Sequence, residues 1–148
     1  YQITYNGEII QRFLTSAARS DKSTPLGKYK LGNKLPAPRS SIYGDIMPFW
    51  ITLLIPQYPV GLYGTHGLAE ESYLYDLGKP VSHGCLRLSH KEVKENGKKN
   101  VLGAAHWVYQ YVPTGTPITI FKAPLTIFDF EDYQKLVPLA RRADSLSI

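Results

Sequence analysis

Apolar and polar positions alternate from the first residue of the chain. Tyr1, Ile3 and Tyr5 are separated by Gln2 and Thr4, and a second run from Glu8 to Leu14 follows Asn6-Gly7. Alternation on both sides of Asn-Gly predicts a β-hairpin, because these two residues accept the positive φ of a tight turn. Thr24-Pro25-Leu26-Gly27 predicts a further turn, with Pro presetting φ at its second position, and a short strand over 28–31. Residues 32–45 are rich in Gly, Pro and Ser and predict a long loop. From Phe49 to Ile55 the chain is almost continuously apolar, the pattern of a buried strand, which Pro56 and Pro59 end. Residues 63–66 predict another short strand.

Beyond Leu88 the period changes. Ser89-His90-Lys91-Glu92 has the form of a capping box, so a helix is expected to begin there and to stop at Gly97. Val101, Ala104, Ala105, Val108, Tyr111 and Val112 recur at helical spacing and predict a second helix over 100–112. Gly103 inside it would cost about 1 kcal/mol relative to Ala. Residues 117–121 read as a closing strand. Asp129 reads as the cap of a last helix to about Ala140, kinked or shortened by Pro138. The expected fold is mainly β with a few helices packed on it, without internal repeats.

Composition narrows the class. A chain of 148 residues, 43% hydrophobic and 20% charged, suits one soluble domain with one core, and no apolar run spans a membrane. Eleven Tyr against five Phe favour half-buried sheets or a polymer-binding groove. The net charge of +5 favours anionic partners. Lys98-Lys99 and Arg141-Arg142 are isolated pairs rather than a phosphate-tracking stripe, so nucleic acid is not expected. Tyr1 opens the chain inside an apparent strand, without Met, so upstream sequence is expected to have been removed.

Cys85 is the single cysteine. It cannot form an intramolecular disulfide, and a lone cysteine reads by default as a small buried hydrophobe. Its neighbours reverse that reading. His66-Gly67 stands nineteen residues upstream (85 − 66 = 19), and Ser82-His83-Gly84 runs directly into the cysteine. A thiol attacks only as thiolate, and a nearby imidazole can take its proton. Both His66 and His83 are candidates. In an extended segment His83, at i−2, points the same way as Cys85, but a turn at Gly84 removes that constraint. His66 arrives from a separate strand. Gly84 also lets the backbone aim consecutive N–H groups at an oxyanion. A metal site made from His66, His83, Cys85 and His90 is disfavoured by Gly84 and by the absence of CxxC or HExxH spacing, so no cofactor is expected. No papain-like or caspase-like context surrounds Cys85. His106, beside Trp107, reads as a packing or edge residue.

With these motifs the sequence resembles the L,D-transpeptidase catalytic domain family. The resemblance rests on His66-Gly67 and Ser82-His83-Gly84-Cys85-Leu86-Arg87-Leu88. Thr24-Pro25-Leu26-Gly27-Lys28-Tyr29, Met47-Pro48-Phe49-Trp50 and Gly115-Thr116-Pro117-Ile118-Thr119-Ile120 support it in the family's order. It covers roughly residues 1–121 and implies an L,D-transpeptidase-like mixed β-sandwich there. The tail, 122–148, has no counterpart and is expected to be helical and packed on the domain. The resemblance implies Cys85 as nucleophile, His66 as base and a backbone carbonyl near Gly67 as the orienting group, with Asp76 a lesser acidic candidate. Gly84 and Cys85 N–H groups would hold the oxyanion, with His83 and Ser82 in support. Arg87 would order the loop or meet a substrate carboxylate. Phe49 and Trp50 would line the donor groove, with Tyr63 also on the substrate side.

The implied partners are peptidoglycan stem peptides, outside the cytoplasm of a bacterium, in the periplasm or wall. The implied reaction is attack on the bond between an L-centre and D-Ala, release of D-Ala, and transfer of the thioester to an amine. With water as acceptor the same site is an L,D-carboxypeptidase. The reading of a different class is a non-catalytic wall-binding module. Residues 91–100 look like an inserted helix and turn, read as a solvated surface insertion.

Overall fold

The computed structural model describes residues 1–68, 76–89, 93–95, 98–100 and 103–122, of which 93–95 and 98–100 are described as backbone. In chain order the elements are β1 (Gln2–Tyr5), β2 (Glu8–Arg12), β3 (Ala17–Ala18), β4 (Gly27–Leu35), β5 (Trp50–Leu54), β6 (Gly64–Gly67), β7 (Pro80–Ser82), β8 (Leu86–Leu88), β9 (Val93–Glu95), β10 (Lys98–Asn100), α1 (Ala104–Tyr111) and β11 (Pro117–Ile120). Five of them form a mixed sheet in the order β11-β4-β5-β6-β8. Its ladders are antiparallel except β6–β8, which is parallel. Besides it there are the β1–β2 hairpin, the parallel β3–β7 pair and the antiparallel β9–β10 pair. The chain is mainly β with one helix among the described residues.

The sheet has one closed face and one face that carries the site. Cross-strand partners share a face, so the registers Leu31↔Leu53, Ile51↔Thr65 and Thr65↔Leu86 put Leu31, Leu53, Ile51, Thr65 and Leu86 on one side. This side receives α1, which buries Ala104, Ala105 and Val108. With Ile55, Leu88 and Val112 these residues make the core. The opposite side carries Trp50, Thr52, Gly64, His66 and Arg87, from Thr52↔Gly64 and His66↔Arg87. The apolar run at 49–55 is therefore buried for two reasons: its odd positions face the helix, and Trp50 and Thr52 lie under the site.

The first hairpin forms as its pattern predicts, with Asn6 at φ 50 and Gly7 at φ 82. Phe13 of its second arm meets Trp107 of α1 at 5.8 Å between ring centroids, which ties it to the core. Other expectations need correction. The strand expected at 28–31 runs on to Leu35 through an irregularity between Leu31 and Lys34. Gly32 and Asn33 absorb the kink, and Lys34 returns to the core side, where its Nζ donates to the Tyr109 carbonyl. Residues 32–35 are thus strand rather than loop.

The helix expected from Ser89 is absent. Val93–Glu95 pairs antiparallel with Lys98–Asn100, with Glu95 opposite Lys98. The pairing flanks Asn96-Gly97, a two-residue hairpin signal that the helix reading treats as a stop. Ser89 is buried, and its carbonyl accepts the N–H of Ala105 (2.8 Å), so it caps α1 from the end of β8 instead of starting a helix itself. The second helix begins at Ala104 with Gly103 as its N-cap, which spares Gly103 the interior cost. The closing strand ends at Ile120, one residue before Phe121. The helix expected over 129–140, the tail after Lys122 and His90 lie outside the described residues.

Candidate active site

β6 and β8 lie side by side in parallel register, so His66 stands opposite Arg87, and Cys85, one residue before β8, lies alongside Gly64. The Gly64 N–H bonds to the Cys85 thiol. The sheet thereby brings the upstream His-Gly and the Ser-His-Gly-Cys segment onto one face. Gly64 is needed for a second reason. A Cβ there would lie 2.5 Å from the Trp50 indole, which crosses Gly64 and stacks on His66 with ring centroids 5.8 Å apart. Trp50 is only 3% exposed and donates its Nε1–H to Thr52 Oγ1 (2.9 Å). It supports the imidazole from below and offers no open wall to a ligand. Phe49 turns the other way and stacks on His106 of α1 at 4.7 Å.

The segment 82–85 is a tight loop held from inside and outside. The Ser82 hydroxyl donates to the Cys85 carbonyl (2.6 Å) and accepts the Gly84 N–H (3.2 Å). The Thr24 hydroxyl donates to the Gly84 carbonyl (2.7 Å). Gly84 has φ +134, a conformation L side chains rarely adopt, and the Tyr63 ring packs where its Cβ would be. The turn takes His83 off the line of an extended strand. His83 is exposed, and its ring stacks on Tyr43 at 4.4 Å.

His66 is held as a neutral imidazole. Its Nδ1 lies 2.6 Å from the Gly67 carbonyl, and the Gly67 N–H is tied to the Pro48 carbonyl (2.6 Å). Burial pushes the imidazole down to about 4; the Gly67 carbonyl acts against this, Arg87 adds to it and Asp45 opposes it. The ring is therefore neutral near pH 7. A carbonyl can only accept, so the proton resides on Nδ1 and the Nε2 lone pair is free to take a proton. Burial also pushes the Cys85 thiol up, against the Gly64 N–H and the charge of Arg87, so the resting pair is thiol and imidazole rather than thiolate and imidazolium. Asp76 is not among the groups that reach the ring; the acidic one is Asp45.

Residues 1–120 match the YkuD family, the L,D-transpeptidase catalytic domain. The chain belongs to that family. Bacillus subtilis (strain 168) YkuD, named as a candidate L,D-transpeptidase, is 25% identical over 118 residues, 80% of this chain and 57% of its own length. Solved L,D-transpeptidases share the fold. That of Stackebrandtia nassauensis superposes with a TM-score of 0.61 at 17% identity, covering 82% of this chain and 49% of its own. That of Mycobacterium smegmatis gives 0.60 at 21%, covering 82% and 53%. LdtMt1 in complex with imipenem gives 0.59 at 20%, covering 78% and 51%. The chain thus spans about half the length of these relatives, in a peptidoglycan-related enzyme family.

The structure brings His66, Gly67, Ser82, Gly84, Cys85, Arg87 and Tyr63 together, with His83 at the rim. Three contacts are not foretold by the sequence, although Thr24 itself stands in the turn segment Thr24-Pro25-Leu26-Gly27. Thr24 pins Gly84, Ser16 exchanges backbone bonds with Arg87 (both 2.9 Å), and Asp45 lends charge to His66. Among the described residues no three His, Cys, Asp or Glu side chains form a metal-binding group, and no helix is long and apolar enough to cross a membrane.

The depressed His66 predicts acid sensitivity. The unfolded chain takes up a proton near the ordinary value of 6.5, whereas the folded chain refuses it down to about 4. The stability present above pH 6.5 is therefore lost as pH falls toward 4, by up to about 3 kcal/mol. Thermal unfolding followed from pH 7 to 4 should show a steeper fall in Tm for the wild type than for His66→Gln. Equal slopes would mean that the ring is not buried in its neutral form.

Proposed function

We propose that this chain is a peptidoglycan L,D-transpeptidase working through a thioester on Cys85. The observation that carries the reading is the neutral His66 ring, fixed by the Gly67 carbonyl with Nε2 left to accept a proton, on the sheet face where Gly64 holds the Cys85 thiol. His66 takes the thiol proton as sulfur attacks the carbonyl between an L-centre and D-Ala of a tetrapeptide stem. The C–N bond breaks, His66 returns the proton to the departing amine of D-Ala, and the acyl group remains on sulfur. An amine of a second stem then attacks the thioester, giving its proton to His66, and the thiolate leaves to be reprotonated.

The Gly84 N–H is turned to Ser82 Oγ, so the Cys85 N–H is the loop donor we assign to the oxyanion. Ser82 and Thr24 hold the loop, and Arg87 and Tyr63 border the substrate. A buried carbonyl as the orienting group suits a base that stays neutral, because an acid there would raise the imidazole pKa. Such substrates place the work outside the cytoplasm. Water as acceptor would make the same site an L,D-carboxypeptidase.

The test is incubation with tetrapeptide muropeptides and mass spectrometry of the products. New dimers with release of D-Ala are expected, and tripeptides alone would indicate the carboxypeptidase. Imipenem, bound by LdtMt1, should add its whole mass to Cys85, because opening a β-lactam expels nothing. No product and no adduct would point to a wall-binding module.

A further inference from the structure

The chain between the first hairpin and β4 wraps the loop that carries Cys85. Ser16 and Arg87 exchange backbone bonds (both 2.9 Å), and the Arg19 N–H donates to the Ser82 carbonyl (3.0 Å). The Lys22 N–H closes a turn onto the Arg19 carbonyl (3.0 Å). The Lys22 carbonyl lies 3.8 Å from where a Cβ on Gly84 would stand. Arg19 and Lys22 thus flank His83-Gly84 from outside while Arg87 flanks them from β8.

Three cations meet one anion here. Asp21 is taken up by Arg19, whose Nε lies 3.2 Å from Oδ1, so the group Arg19, Lys22, Arg87 and Asp21 carries a net +2 (3 − 1). The pair is partly exposed, at 42% and 63% of the side chains, and Lys22 is exposed, so these charges face incoming solute. They reach His83, whose pKa is lowered by burial first and then by Arg19, Arg87 and Lys22, with Asp21 opposing. The acyl-transfer chemistry described above makes no use of Arg19 or Lys22.

We propose that Arg19 and Lys22 form an anion-reading rim that makes the site selective for stem peptides presenting a free carboxylate beside the Ser82–Gly84 loop, over the same stems amidated at that group. This deepens the peptidoglycan reading and rests on it for the identity of the substrate; the charge preference of the rim does not. Asp21 orients the Arg19 guanidinium through Nε and Nη2, so Nη1 is the donor left for a second carboxylate, and Lys22 adds an exposed point charge. Lys22 is exposed and Arg19 half-exposed, so each contributes a few-fold preference rather than orders of magnitude.

Two readouts test it. Alkylation of Cys85 by iodoacetate and by iodoacetamide forms the same S–C bond and expels the same iodide, but only the first reagent is anionic. The ratio of the two rates should fall about fivefold in the Arg19→Gln/Lys22→Gln variant and be restored in Arg19→Lys/Lys22→Arg. Raising salt from about 0.05 to 0.5 M should bring the wild-type ratio toward that of the neutral variant. On tetrapeptide muropeptides, the wild type should prefer stems with free carboxylates by about fivefold or more in kcat/KM. The double Gln variant should lose that preference without change toward amidated stems. An unchanged alkylation ratio overturns the rim, as does a shifted ratio alongside an unchanged stem preference. A shifted ratio with no turnover of any stem keeps the rim and defeats the transpeptidase reading instead.

Discussion

Cys85→Ala should abolish release of D-Ala from tetrapeptide muropeptides, a loss of about 10⁴-fold or more in rate, while the chain stays folded. The sulfur lies outside the core cluster, in a loop fixed through Ser82 and Thr24 by bonds that leave its side chain untouched. Removing it leaves the Gly64 N–H without its partner, a cost of about 1 kcal/mol. Product analysis with a parallel thermal melt separates the two effects. Cys85→Ser sharpens the test, because a hydroxyl can still accept from Gly64 yet is far too weak an acid for an imidazole held near 4 to deprotonate usefully. Turnover retained by the Ala variant would sink the thioester mechanism. A melt lowered by many degrees would mean that the thiol holds the loop as well as reacting.

The chemistry of the site was more legible than its frame. His66-Gly67 and Ser82-His83-Gly84-Cys85 are contiguous segments whose residue types the proposed reaction would demand, so a single chain displays them. Their meeting also follows from two short strands laid in parallel, β6 and β8. Sequence alone left His66 and His83 as rival bases. The turn at Gly84 and the Tyr43 stack place His83 at the rim, and the Gly67 carbonyl gives His66 a defined tautomer. The contacts of Thr24 and Ser16 are out of reach because their partners, Gly84 and Arg87, lie 60 residues and more away, and a Ser or Thr carries no sign of which carbonyl it will meet.

Two errors came from trusting local patterns. Ser89-His90-Lys91-Glu92 satisfies a capping box, yet Asn96-Gly97 competes for the same stretch as a hairpin signal, and the observed pairing of β9 with β10 follows the latter. Gly32-Asn33 falls in the stretch 32–45 whose Gly, Pro and Ser content predicts a loop. In the structure they are the irregularity through which β4 continues along β5. The family resemblance implies Trp50 as part of the donor groove, and in the structure the side chain is 3% exposed. Its fate was decided by Gly64 on the neighbouring strand, the missing Cβ that lets the indole slide beneath His66.

Gly84→Ala should lower kcat by about 10²-fold with little change in KM, and lower stability by about 1–3 kcal/mol. Two costs act together. An L residue at φ +134 is strained whatever the space around it, and the new Cβ would stand 2.9 Å from the Tyr63 ring. That ring cannot swing away freely, because Tyr58 meets it edge-on at 5.1 Å. Relief requires the peptide between Gly84 and Cys85 to rotate, which turns the Cys85 N–H away from the oxyanion position and loosens the Thr24 bond to the Gly84 carbonyl. Stem binding at the rim survives, so KM moves little. The companion Gly84→Ala/Tyr63→Ala removes the ring contact and keeps the strained φ. If kcat stays low in the double variant, backbone conformation controls the oxyanion donor. Recovery toward wild type would assign the loss to the ring alone, and would then place the donor on some group other than this loop.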